Sequence, residues 1–430
     1  MSLPATDSAD TGSARKPALA GGFVAVTAAN IIANLFSYLL LLVAARRLVA
    51  VEYSEVVTLL NVLLIGYIGQ LALQTVVARR AALGDLAGVT SLTLGIGFVG
   101  GLIVIALTPA LRAFLHLPGW TAVICVGVAL PGIAVQGLCQ GIWQGRENFH
   151  ALAISTFTGI AGRSGAGLLG LLLGGTSATT MVCVAIGVSL SAAANFLFTP
   201  LRHARTRSHP HDRVPLLIEA AHASHAFGVF LLLTATDLLL ARHSLPSAAA
   251  ATYAAGSVIT RGTLWLPQSI ANVLFAKLTD ASKHRAVFLR AIAVLGSIAA
   301  VVVLGCYLLS SFTMHVVAGD KYPDLRPDVW LFAGLGGSLA ILQFVLVAGL
   351  AVRSITTTGL VWAAIAAEVI TVLSLGHQVS VHRIIASVCV VNLSVAALAI
   401  LVRIRGHANS VSGVVPVGPD PDADFHRYGQ

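Results

Sequence analysis

Val24–Leu48 reads VAVTAANIIANLFSYLLLLVAARRL, and the stretch from Val24 to Ala45 holds no charged residue before Arg46 and Arg47 end it. About 20 apolar residues wound as a helix cross a hydrocarbon core roughly 30 Å thick. A helix satisfies its own backbone hydrogen bonds, so it can lie in lipid without partners. A β-barrel strand would instead alternate apolar and polar over about ten residues, and this run is continuous. The stretch therefore predicts a membrane-spanning helix. Its asparagines, Asn30 and Asn34, are spaced to share one helical face.

The same pattern recurs to the end of the chain. Spans are expected at 20–45, 54–78, 86–108, 120–140, 150–173, 177–199, 216–241, 250–275, 286–310, 328–350, 357–376 and 382–403. The first run is too long for a signal-peptide core and is read as a retained span. Composition agrees: 57% of the 430 residues are hydrophobic and 10% charged, with mean hydropathy +0.89. A soluble domain needs far more polar surface than that. The fold class expected is an all-α integral membrane protein, about twelve transmembrane helices in two parallel six-helix halves around a central cavity. The division runs as a disordered tail 1–19, a first half 20–199, a linker 200–215, a second half 216–403 and a disordered tail 404–430.

Lysine and arginine fall unevenly between alternate connections. Seventeen of the 26 lie on the side of the N-terminus and seven on the other, and only Arg163 and Arg261 fall inside spans. By the positive-inside rule both termini are expected in the cytoplasm of a plasma (inner) membrane. Topology also accounts for the pI of 9.7, so no nucleic-acid partner is expected. The five cysteines sit in apolar runs without CxxC spacing, which points to small buried hydrophobes, with no metal site. The linker carries His203, His209 and His211 among four arginines and reads as a solvated segment near anionic headgroups.

The halves carry a faint repeat. The first span ends at Arg46-Arg47 with Tyr53 beyond it, and the seventh ends at Arg242-His243 with Tyr253 in the eighth. The third span leaves through Pro109–His116 and the ninth through Phe312–Val317. Six spans per half make the repeats parallel, a transporter design with a cavity between halves.

These segments resemble the polysaccharide flippase branch of the multidrug/oligosaccharidyl-lipid/polysaccharide (MOP) exporter superfamily, over about 24–403. The likeness rests on Asn30 and Asn34 before Arg46, Arg47 and Tyr53; on Gln74 with Arg79, Arg80 and Ala81; and on Gly141, Gly145, Arg146 and Phe149. Asp237 to Arg242 with Tyr253 and Gly256, and Gly319 with Tyr322, complete it. Ser54 stands where the family has Gly, and Phe275-Ala276-Lys277 where it has Pro, although Pro267 lies earlier in that span. The resemblance implies a flippase carrying a polyprenyl-pyrophosphate-linked glycan between leaflets. It also implies contact with membrane lipids and association with polysaccharide-assembly enzymes.

A pyrophosphate crossing hydrocarbon needs cations, and guanidinium pairs with phosphate oxygens in bidentate fashion. Arg163 and Arg261 are the substrate-binding candidates of the lumen, with Asn30 and Asn34 as polar companions. The alternatives are a structural ion pair or snorkelling for the arginines, and helix packing for the asparagines. Asp237 and Glu368 are the ion-coupling candidates for a proton or sodium gradient, because burial favours a neutral carboxylic acid. A salt bridge between Asp237 and an arginine is the competing reading. Near the start of the seventh span, beside Glu219, His222 and His225 share one face and read first as helix-packing residues, with a proton relay as the alternative. The glycine stripes 137/141/145, 97/101 and 170/174 point to close helix contact.

No cofactor is expected. A proton- or sodium-coupled multidrug exporter of the same superfamily is the alternative function. A membrane glycan polymerase or acyltransferase would present its chemistry on an outer loop; the largest, 311–327, holds His315, Asp320, Lys321, Asp324 and Arg326. A transporter is preferred to an enzyme.

Overall fold

The computed structural model describes residues 11–84, 86, 88–200, 213–275, 284–319, 321–351 and 355–412. The centre of the 200–215 linker, Asp320 and the outermost parts of both tails lie outside the described residues. Among those described, every regular element is helical. The first half contains α1 (Thr11–Arg47), α2 (Ala50–Ala82), α3 (Val89–Ala106), α4 (Thr108–Leu115), α5 (Thr121–Gly145), α6 (Phe149–Leu173) and α7 (Ser177–Phe198). The second contains α8 (Arg213–Ser244), α9 (Ser247–Phe275), α10 (His284–Leu308), α11 (Ser310–Ala318), α12 (Val329–Ala351), α13 (Ile355–Ser374) and α14 (Val381–Ser412).

The twelve long helices correspond one to one with the expected spans, and α4 and α11 are the two short exit segments. Nine helices among the described residues are long and apolar enough to cross a membrane. Two ends differ from expectation. Helix α1 begins at Thr11, inside the stretch read as a tail, and α14 continues to Ser412. Ala14, Arg15, Lys16 and Ala18 are strong helix formers, and adding a turn to an existing helix avoids the cost of nucleation. Lipid sets the minimum length of a span but not where it stops. At about 1.5 Å per residue α2 reaches roughly 50 Å, well beyond the hydrocarbon; it starts near Glu52 and finishes at Arg79 and Arg80.

The repeat extends to the packing. In the first half α2, α3 and α7 pack on α5, and α6 lies between α1 and α7. In the second α9, α10 and α14 pack on α12, and α13 lies between α8 and α14. Glycines permit the closest approaches, as the stripes suggested. A Cβ on Gly141 would stand 2.7 Å from Gln74 O, and one on Gly101 2.6 Å from Gly127 O. Two glutamines a turn apart on α2 reinforce the first contact: Gln70 donates to Gln140 and Gln74 to Gln144, each at 2.9 Å.

Candidate functional site

The halves meet where α2 packs against α8 and α9, and more sparingly where α1 meets α9. Polar side chains collect at this seam. Arg261 of α9 donates to the Asn61 carboxamide of α2, crossing from one half to the other. Asn61 is fully buried, and its own Nδ2 donates back to Val57 O at 2.8 Å, which fixes the amide for the arginine. Asn61 and Arg261 are 200 residues apart, the same offset as Tyr53 and Tyr253. Equivalent positions of the repeat therefore touch near its pseudo-two-fold axis.

Arg163 of α6 donates through Nη2 to Ser37 Oγ of α1 at 2.8 Å, and Ser37 lies 3.1 Å from Ser164 Oγ. Its guanidinium carbon lies 5.3 Å from the Tyr67 ring centroid on α2, a cation–π distance. Arg163 Nε and the Tyr67 hydroxyl are buried without a partner among the described residues. A buried donor left unpaired costs about 1–3 kcal/mol, so water or another polar group is favoured beside these atoms. Arg261 is within coulombic reach of Arg163, Asp237 and Tyr53. The two intramembrane cations thus share one electrostatic neighbourhood, one from each half.

Asp237 on α8 is 6% exposed and accepts from the Tyr253 hydroxyl at 3.1 Å. Among the described residues it forms no ion pair with an arginine; tyrosine is its partner. Glu368 on α13, 1% exposed, accepts from Asn392 Nδ2 of α14 at 2.5 Å. Glu368 Oε2 and Asn392 Oδ1 have no partner among the described residues, and the Glu368 and Asp237 carboxylates are within coulombic reach of each other. Two buried acids, with one unpartnered carboxylate oxygen on Glu368 and one amide oxygen on Asn392 beside it, form a cation-seeking group on the second half.

Of the remaining candidates, Asn30 donates to Val26 O of its own helix at 3.0 Å. Asn34 lies half-buried one turn on. Among the described residues no hydrogen bond joins either asparagine to Arg163 or Arg261. His225 accepts from Trp362 Nε1 at 3.1 Å and packs as a helix-contact group. Sequence reasoning missed Ser37, Asn61, Tyr67, Tyr253 and Asn392. The shared 200-residue offset, already visible in the tyrosines, was the available signal for Asn61.

No protein-family model matches the chain, and no curated protein matches it. Solved structures do. A lipid II flippase, MurJ, in an inward closed conformation superposes with TM-score 0.71 at 10% identity, covering 89% of this chain and 87% of that one. The inward-facing conformation of a multidrug resistance MATE family transporter of the MOP superfamily gives TM-score 0.68 at 13% identity, covering 89% and 95%. A eukaryotic MATE transporter gives 0.59 at 12% identity, covering 90% and 94%. The chain shares the fold of these transporters. Because the match covers 87% to 95% of each of these neighbours, the likeness extends over the whole bundle. At such identities the likeness shows the fold alone.

Proposed function

We propose that this protein is a flippase that moves a polyprenyl-pyrophosphate-linked oligosaccharide, or a related cell-envelope precursor, from the cytoplasmic to the outer leaflet. The two halves rock about the seam, and the positive-inside bias sets both termini in the cytoplasm of the plasma membrane. The observation that carries the reading is the pair Arg163 and Arg261, one from each half, within coulombic reach across the seam. A charge inside the hydrocarbon costs about 2.5–3.5 kcal/mol; Asp237, within coulombic reach of Arg261, offsets one of the two, and an incoming anion can pair with the other. A pyrophosphate is such an anion, and the sparing α1/α9 contact offers its lipid tail a way to stay in hydrocarbon. Asp237 and Glu368 serve as the coupling group for a proton or sodium ion.

The same acids favour the second reading, a cation-coupled multidrug exporter, whose cargo would be cationic or aromatic. Deleting the gene separates the two. The flippase reading expects lipid-linked sugar to accumulate in the inner leaflet. Unchanged lipid-linked sugar together with new sensitivity to cationic drugs would replace it with the exporter.

A further inference from the structure

On the face away from both termini, the halves are held by two arginines at equivalent places of the repeat. Arg46 lies in the last turn of α1 and Arg242 in the last turn of α8. Each reaches into the opposite half, to the C-terminus of the short helix there. Arg46 Nη2 donates to His315 O at 3.1 Å and Val316 O at 2.7 Å on α11. Arg242 donates from Nε to Leu115 O at 2.9 Å, from Nη2 to His116 O at 3.1 Å and from Nη1 to Ser54 Oγ at 3.0 Å.

The receiving ends match as well. Helix α4 stops at His116 (φ 50°, ψ 46°) and α11 at Gly319 (φ 56°, ψ 46°), both left-handed. Such a stop leaves carbonyls without helical donors at the negative end of the helix dipole, where a guanidinium is favoured.

The settings differ. Arg242 is 2% exposed, three of its nitrogens are bonded, and buried Glu55 is within coulombic reach. Beside it, His243 Nδ1 lies 2.8 Å from Phe114 O, with its ring stacked on Phe114. Arg46 is exposed. Its contact is returned by Lys321, whose Nζ donates to Arg46 O at 2.5 Å and Leu48 O at 3.2 Å.

We propose that these crossed arginine clasps lock this face, and that they are unequal: the exposed Arg46–Lys321 clasp opens when the halves rock, while the buried Arg242 clasp stays shut as the pivot. A buried, multiply bonded guanidinium cannot leave without stranding its partners, whereas water replaces the bonds of an exposed one. The inference needs only two halves that move, whichever cargo is carried.

Distances between spin labels on the full chain in lipid nanodiscs, without substrate, test it. Val49→Cys with Ser311→Cys spans the exposed clasp; Ala113→Cys with Ser247→Cys spans the buried one. All four positions are exposed, and the unsubstituted chain serves as the labelling blank for the native thiols. Arg46→Ala with Lys321→Ala should raise the ratio of long to short distances at the first pair about two- to tenfold. The second pair should not change. The same shift at both pairs, or none at the first in protein that still melts cooperatively, would overturn the proposal. The Arg46 and Lys321 side chains lie outside the packed core, so the test does not depend on whether an Arg242 variant folds.

Discussion

Where α2 meets α8 the halves are packed over a long contact, from Arg242 beside Ser54 to Gly228, whose added Cβ would stand 2.6 Å from Ile68. Where α1 meets α9 the contact is slight: Tyr38 lies over Gly262, and the exposed Arg46 clasp to α11 closes the end. A strict two-fold repeat would make the two seams alike. The internal packing of each half obeys the repeat and the seams do not. The difference assigns them separate jobs, a hinge at α2/α8 and an opening at α1/α9, with Arg163 and Arg261 between them.

The largest expected effect comes from fixing the opening. Cysteines at Tyr38 and Gly262, bridged by a short bifunctional thiol reagent, should abolish transport, while bridging Ile68 and Gly228 should leave most of it. Equal loss from both bridges would make the seams equivalent. Next is Arg242→Ala, which strands the buried Leu115 carbonyl and removes the guanidinium facing Glu55; it should cost about 2–4 kcal/mol in thermal or denaturant unfolding. Arg46→Ala should cost several-fold less, because its bonds are exposed. Removing the amide that holds the cation across the seam, by Asn61→Ala, should lower transport several-fold and stability by about 1 kcal/mol. Smallest is Gly262→Ala: its new Cβ would lie 3.3 Å from the Tyr38 hydroxyl, and the end of a side chain can shift. Transport should change by less than about twofold.

The spans were legible because hydrocarbon demands a long apolar run and punishes each charge, so length and charge alone mark α1 to α14 apart from the two short helices. That same penalty exposed Arg163 and Arg261 as the cations inside spans. Their partners were not legible. Ser37, Asn61 and Tyr67 are ordinary polar residues in apolar runs, and nothing local distinguishes a seam position from a packing position. Arg46 and Arg242 read only as charges at span ends; that each crosses to the other half depends on how the halves dock, which no single span encodes. The start of α1 at Thr11 was missed because helix propensity, and not hydropathy, carries the helix into the polar tail.

In the proposed function, cations from both halves jointly carry an anionic lipid-linked cargo. This is tested most directly by reconstituting the chain in proteoliposomes holding a fluorescent polyprenyl-pyrophosphate-linked saccharide, and following its arrival in the opposite leaflet. The unsubstituted protein should flip it, Arg163→Ala and Arg261→Ala should each slow flipping at least about tenfold, and the double variant should match empty liposomes. Undiminished flipping by a folded double variant would contradict the account.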